Sequence, residues 1–550
     1  MKNLDGKKEF IGDLFSGRNF FRVPEYQRPF SWDASHFEDL IDDLINANKD
    51  EQYFLGTFVL HRINDDILYE LVDGQQRATA LLILFACLRD IIKADDIRND
   101  IQEKIVQEGS RLNNIARKER IEVRDFEVFN NHILKLGGTL DEFGADKNKE
   151  PHWRYKSAID VFHSSLDGLS QEELEEFVIF VNRNCLIIRL STSSFDDAFR
   201  LFSIVNDRGE KLRRIDVLKA QNLSPEYIES DSLRRSLART WQETEENLGA
   251  DTFEEVFFLV RLILVKDKPQ GDLLKEFERR IFRPRHALMQ RGAPFFEEIK
   301  TYTDIFGRIF VDKDILDQDE QENSEYRSII FIMLSEFQAS EWKACVLFFC
   351  MRFGTDFLLE FIYQIEKVYL EQWVGGIRKD ERYSQYTDIL KSIENNEDPA
   401  DVLDTIEYSE ESIIQGVKNP NLYTAGYKKY VLLRLELLKS ELERTQKIEA
   451  KSIEHVLPQN PKDDSEWLQN HDREGMQEYV NSVGNLVLIS KQKNSSASNR
   501  DFDEKKITYL TQRVSDYPRS NQVCSEEEWT RETIERWTED AADIFLNNIR

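Results

Sequence analysis

The stretch IEHVLPQNP at 453–461 sets a carboxylate, Glu454, directly before one of only eight histidines, His455. A neutral imidazole can take a proton from water. Carboxylate and amide oxygens are hard ligands that suit a small divalent cation. A lone histidine at the end of an apolar run is more often structural, so the case for His455 rests on its company. Downstream, Gly484 and Asn485 open the apolar run NLVLIS, and Asn494 follows in the polar stretch NSSASN. Asn494, Ser495, Ser498 and Asn499 also suit helix caps and turns. His471 sits in a polar loop and reads as exposed.

A second group lies near the other end. LVDGQQRATALL sets the turn Asp73–Gly74 between a strand-like run and a helical one. Backbone N–H groups at such a helix start can hold phosphate, helped by the helix dipole. Gly74 allows close backbone approach, and Arg77 could fork onto a phosphate. The pattern GxxxxGK[ST] is absent, so this is not a P-loop. PEYQRPFSW interleaves cationic and aromatic groups (Tyr26, Gln27, Arg28, Trp32), which can stack on a base and hold phosphate. Trp32 fits a core position equally well. NDRGEKLRRIDVLK, with Asn206, is a second polar turn before a helix.

The elements that must position these groups follow from periodicity. HFEDLIDDLINAN has helical spacing, YFLGTFVLHR and ILYELVD read as two short strands, and GQQRATALLILFACLRDII as a helix with an apolar middle. CLIIRLSTS at 185–193 is another strand, followed by a helix around DDAFRLFSIVNDRG. From 226 to 430, Glu, Leu, Phe and Arg recur at helical spacing, as in SLRRSLARTWQETEENL. From 431 onward a helix, YKKYVLLRLELLKSELER, precedes the IEHVLPQN and VGNLVLIS runs. The expected fold class is α+β and multidomain, with units at 1–225, 226–430 and 431–550.

Composition bounds the rest. At 550 residues, two to four domains are expected. The 40% apolar content supports real cores. A formal charge of −29 argues against non-specific coating of nucleic acid, though not against a local basic groove. The five cysteines are scattered without a CxxC pair, which disfavours a zinc ribbon or a disulfide framework. They read as buried free thiols. No secretory h-region opens the chain, and ALLILFACL is too short to span a bilayer. A cytoplasmic location is expected.

EHVLPQ, GNLVLIS, NSSASN and Phe502 to Lys505, over about 450–510, resemble the ββα-metal (HNH) nucleases. YQRPFSW, VDGQQR and F-x-x-x-NDRG-x-x-L-x-x-x-DVLK, over about 10–225, resemble the N-terminal half of GmrSD-type modification-dependent restriction endonucleases. That half resembles the ParB/sulfiredoxin fold. The two resemblances occur in the order expected of single-chain members of that family.

The resemblance implies His455 as general base. It implies Glu454 and Asn494 as ligands of Mg2+ or Mn2+, with Glu454 where many relatives have Asp. Asn485 would orient the intervening loop, Gln459 would brace the site, and Asn499 is a second-choice ligand or a helix cap. It implies an NTP (GTP, UTP or ATP) at Asp73, Gly74, Gln75, Gln76 and Arg77, with Arg28 and Asn206 as weaker candidates. Lys491, Lys493, Arg500, Lys505 and Lys506 would meet double-stranded DNA. A further basic patch is expected at Arg208, Lys211, Arg213 and Arg214.

The implied function is anti-phage restriction: an NTP-hydrolysing sensor coupled to metal-dependent cleavage of foreign or modified DNA. The alternative is a nucleotide-gated DNA-binding or regulatory NTPase with a weak or inactive nuclease. The modification sensed, the NTP used, nicking against double-strand cleavage, and homo-oligomer against monomer stay open.

Overall fold

The computed structural model describes every residue except 1–3, 18, 25, 28–29, 64–67, 110–114, 124–125, 145–151, 195–196, 199–200, 202–212, 284, 317–319, 442–443, 511–516 and 549–550. Two compact units emerge, Met1–Thr240 and Trp241–Arg550. The mixed α+β class agrees with the sequence. Arg28 and Asn206, the second polar turn with Arg208 and Lys211, and most of the helix expected around DDAFRLFSIVNDRG lie outside the described residues.

The first unit is built on a six-stranded mixed sheet. Its strands are β1 (Asp5–Phe10), β2 (Phe20–Arg22), β3 (Tyr53–Ile63), β4 (Leu68–Asp73), β7 (Ile121–Glu122) and β8 (Cys185–Thr192), ordered β1-β8-β3-β4-β2-β7. A small separate ribbon joins β5 (Val106–Gln107) to β6 (Lys118–Glu119). β3 runs antiparallel to β4 and parallel to β8. The two strands read from YFLGTFVLHR and ILYELVD are therefore central neighbours.

Helix Gln75–Ile91 leaves β4 through Gly74 and is buried from Ala78 to Arg89. A helix apolar all round must be enclosed by protein, and this one is the core of the unit, packed with Phe37, Ile41, Phe58 and Phe162. Each large apolar side chain buried there contributes roughly 1.5–3 kcal/mol. Arg89 inside it is neutralised by Asp90 and by the carbonyls of Ile133 and Lys135. Trp32 packs against this core rather than standing free.

The second unit begins with a long helical region, including Ala250–Val265, Glu341–Phe353 and Leu358–Val374. Helix Leu358–Val374 is tied to helix Lys428–Leu438 by a buried Glu366, which accepts hydrogen bonds from Tyr430 and Arg434. The C-terminal part pairs two short antiparallel strands, β9 (Ser452–His455) and β10 (Leu486–Ile489). Short helices Lys491–Ala497 and Phe502–Leu510 follow, then helix Arg531–Asn548.

The five cysteines are free thiols; Cys87, Cys185, Cys345 and Cys350 are buried, as expected, and Cys524 is half-buried. Among the described residues no helix is long and apolar enough to cross a membrane.

Candidate active site

The pairing of β9 with β10 brings the C-terminal motifs together. His455 stands opposite Leu486, and Glu454 opposite Val487. The two side chains take separate partners, His455 on Asn481 and Glu454 on Lys505 and Tyr509. His455, Glu454, Asn494, Gln459 and Asn499 all line one open cleft of about 530 Å³.

The His455 ring is anchored on one side only. Its Nε2 lies 3.1 Å from the Asn481 side-chain oxygen, which also accepts from Gln459 Nε2 at 2.8 Å. With Nε2 carrying the proton, Nδ1 is left as a lone-pair acceptor. The Tyr423 ring meets the imidazole in a T-shaped contact at 4.4 Å. Burial is the main force that pushes the His455 pKa down to about 4; the Lys505 charge acts in the same direction, and the Asn481 contact opposes both. The imidazole is therefore neutral at physiological pH.

Asn485 is fully buried and uses its whole amide. Its oxygen accepts from Leu457 N–H at 2.8 Å and Trp529 Nε1 at 3.0 Å. Its NH₂ donates to the carbonyls of Leu457 and Val480. It touches no reacting group, and its work is to close the loop from 457 to 480. Gly484 beside it leaves no room for a Cβ, which would stand 2.1 Å from the Ile534 carbonyl on helix Arg531–Asn548.

Asn494 lies one turn inside helix Lys491–Ala497, which Ser490 caps. Asn494 is therefore inside the helix and is not its cap. Its NH₂ donates to Ser452 Oγ and to the Ile453 carbonyl, at 2.7 and 2.9 Å. That fixes the amide with its oxygen as the remaining donor atom. Asn499 instead uses its NH₂ on the Asn460 carbonyl.

Glu454 is 4% exposed, and its Oε1 accepts from Lys505 Nζ at 2.7 Å and Tyr509 Oη at 3.0 Å. Burial raises its pKa, against the Lys505 charge. Lys505 is 1% exposed and also donates to the His455 carbonyl at 2.7 Å. The expectation that Lys505 meets DNA is corrected here, because a phosphate cannot reach a lysine sealed between helix Phe502–Leu510 and β9. Lys493 donates to the Tyr509 carbonyl, and Lys506 pairs with Asp503 at 2.8 Å. Lys491 and Arg500 are exposed.

His471 is a second correction. It is 2% exposed, with Nδ1 on Tyr479 Oη and Nε2 on the Trp529 carbonyl. Both nitrogens are satisfied, so it is a packing histidine rather than an exposed one.

A hard cation would find few but suitable ligands. Among the described residues no cluster of three or more His, Cys, Asp or Glu forms a metal site. Glu454 Oε2 and Asn494 Oδ1 carry no hydrogen bond from a described residue, and both residues line the cleft. One carboxylate and one amide oxygen, completed by water and phosphate, match the preference of Mg2+.

In the N-terminal unit, Asp73, Gly74, Gln75, Gln76 and Arg77 are contiguous across the β4–helix turn and half-buried. Gly74 has φ +89°, and a Cβ there would stand 2.4 Å from the Phe58 ring. Both facts demand glycine. Gln76 is not a free surface amide: its oxygen accepts from Ser31 N–H at 2.7 Å and Trp32 N–H at 3.3 Å. It thereby docks the PFSW segment on the helix start. Gln27 reaches the Val72 carbonyl at 2.7 Å and ties the same segment to β4.

The Asp73 pKa is raised by burial, against the Gly74 N–H and the Arg77 charge. Burial lowers the Arg77 pKa, against Asp73. A cavity of about 410 Å³ in this unit lies apart from that turn, walled by Arg22, Tyr26, Glu70, Glu122 and Arg234.

Sequence reasoning missed Asn481 and Tyr423. Each sits in a polar or turn-like stretch, with no periodicity to mark it. The Lys505–Tyr509 pair had a signal in its i, i+4 spacing on one helix face.

An anchored histidine, a carboxylate and an amide oxygen share one cleft. The chain matches the GmrSD restriction endonuclease N-terminal domain over residues 11–223, and the GmrSD restriction endonuclease C-terminal domain over 408–544. It belongs to the GmrSD restriction endonuclease family, which makes it a DNA nuclease by family. No curated protein matches the chain.

Proposed function

We propose that the C-terminal part is a one-metal ββα-metal (HNH) nuclease that cuts DNA, and that the N-terminal part is a ParB/sulfiredoxin-like NTPase that controls it. The reading divides the chain at about 225 and 430, with a helical region between. One observation carries the nuclease assignment: Asn481 occupies His455 Nε2, leaving Nδ1 of a neutral imidazole as acceptor in the cleft that also holds Glu454 and Asn494.

In this reading His455 Nδ1 takes a proton from water while the water oxygen attacks phosphorus and the P–O bond to the leaving oxygen breaks. Glu454 and Asn494 would hold Mg2+ or Mn2+, which supplies charge stabilisation at the phosphate and the leaving oxygen. Asn485 holds the loop, and Gln459 braces Asn481. Lys491 and Arg500, both exposed, are the candidate DNA contacts that remain after β10. Asp73, Gly74, Gln75, Gln76 and Arg77, with Arg28 and Asn206, would bind the NTP. The substrate would be foreign double-stranded DNA, modified or not, in a cytoplasmic anti-phage role.

Conversion of supercoiled plasmid in the presence of Mg2+ tests this. The chain should nick or linearise it, and His455→Ala should cut at least about 100-fold more slowly. Equal cutting by both proteins overturns the assignment.

A second reading draws on the Lys505–Glu454 ion pair. A carboxylate already neutralised by lysine is a weaker cation ligand, which favours a nucleotide-gated DNA-binding protein with a feeble nuclease. Tight DNA binding without Mg2+-dependent cutting by the wild type would select that reading.

A further inference from the structure

We propose that the backbone of the cleaved DNA is gripped by a basic rim of Lys428, Lys429 and Lys451 on the nuclease cleft; this rests on the nuclease reading above. The motifs pointed instead to lysines after β10, and three of those five cations are engaged inside the protein. Lys505 is sealed on Glu454, Lys493 is spent on the Tyr509 carbonyl, and Lys506 bonds Asp503 and the Glu526 carbonyl.

The cleft itself is lined by three other lysines. Lys428 and Lys429 open helix Lys428–Leu438, and Lys451 directly precedes β9. Lys429 and Lys451 are exposed, and Lys428 is half-exposed. None of the three forms an ion pair with a carboxylate among the described residues, although the charge of Lys429 reaches Glu336.

Lys428 is linked to the proposed base. Its Nζ stands 5.1 Å over the Tyr423 ring, and that ring contacts His455. A cation held on an aromatic face is fixed in position while its remaining N–H groups stay available. The start of the same helix adds a partial positive charge. The ligand this arrangement takes is a run of phosphodiester oxygens passing over His455. A net charge of −29 opposes the approach of DNA. A local positive rim at the reacting site offsets that repulsion where it matters.

Duplex binding by the full-length chain tests the rim. Fluorescence anisotropy of a labelled duplex, read across a salt series in the His455→Ala background, reports affinity without cleavage. Lys429→Glu with Lys451→Glu should weaken binding at least about tenfold. It should also lower the slope of log K against log salt by about 2, because each phosphate that a lysine neutralises adds about 0.9 to that slope. The milder pair Lys429→Gln with Lys451→Gln should fall between and guards against misfolding. Lys300→Glu with Lys391→Glu, off the cleft, should leave the slope unchanged.

Unchanged affinity and slope in the Lys429/Lys451 variants overturn the rim. So does a loss seen only in Lys491→Glu with Arg500→Glu. A wild-type chain that neither binds nor cuts duplex DNA overturns the nuclease reading itself. Normal wild-type cutting with unaffected rim variants removes the rim alone.

Discussion

The Nε2 atom of His455 lies 3.1 Å from the side-chain oxygen of Asn481, and this contact decides which ring nitrogen can accept a proton. Burial, which holds the ring near a pKa of about 4, decides that the proton is absent at neutral pH. The sign follows directly. A base works deprotonated, so cleavage should persist as pH falls through the usual histidine range and fail only as pH approaches about 4.

Asn481 should control that profile. Asn481→Ala loses the tautomer lock and should slow cleavage about 10–100-fold. Asn481→Asp sets a carboxylate against Nε2–H, favours the imidazolium, and should move the acid limb of the pH–rate profile upward. Superimposable profiles for wild type and Asn481→Asp would show that the contact does not govern the base.

The buried Lys505–Glu454 pair should behave as a coupled unit. Lys505→Met leaves an uncompensated carboxylate inside the protein and should cost about 3–5 kcal/mol in denaturant unfolding. Adding Glu454→Gln removes that charge and should recover part of the loss, a coupling readable in a double-mutant cycle. Strict additivity of the two changes would contradict the pairing.

Asn485→Ala removes four hydrogen bonds at a site with no solvent. The Leu457 and Val480 groups and the Trp529 indole are left without that amide. A destabilisation on the order of 3 kcal/mol is expected. Hydrogen exchange should rise first in the 457–480 loop, and unchanged protection there would count against its pinning role.

At the other end, Gly74→Ala meets both a left-handed backbone and the Phe58 ring. The expected cost is about 1–3 kcal/mol in unfolding free energy. Gln76→Ala should instead leave the helix intact and release the segment at Ser31 and Trp32, seen as a change in Trp fluorescence. If the turn holds an NTP, both variants should lose nucleotide turnover, while Asp73→Ala and Arg77→Ala should abolish it. Turnover that survives in the latter two would move the nucleotide elsewhere.

Much of this protein was legible as local pattern. Alternation in YFLGTFVLHR, the apolar middle of the DGQQR helix and the run NLVLIS each marked an element, because periodicity is written in neighbouring residues. The order Glu454–His455, then Asn494, also marked residues that share one cleft, because a two-strand and helix motif is nearly contiguous in the chain. What failed were burial and partnership. Lys505 read as a surface cation and His471 as exposed, yet both are inside. Polarity marks a residue as needing partners without saying whether water or protein supplies them.

The sequence alone therefore determined the family, the α+β order of elements, and Glu454, His455 and Asn494 as residues of one cleft. Tertiary structure decided which atoms of those residues remain available. Asn481 and Tyr423 reach His455 from outside the motifs, Glu454 is claimed by Lys505 and Tyr509, and the lysines lining the cleft come from before β9 rather than after β10. Motif spacing follows the chain, whereas electrostatics and hydrogen bonding act through space, across segments the chain separates by dozens of residues.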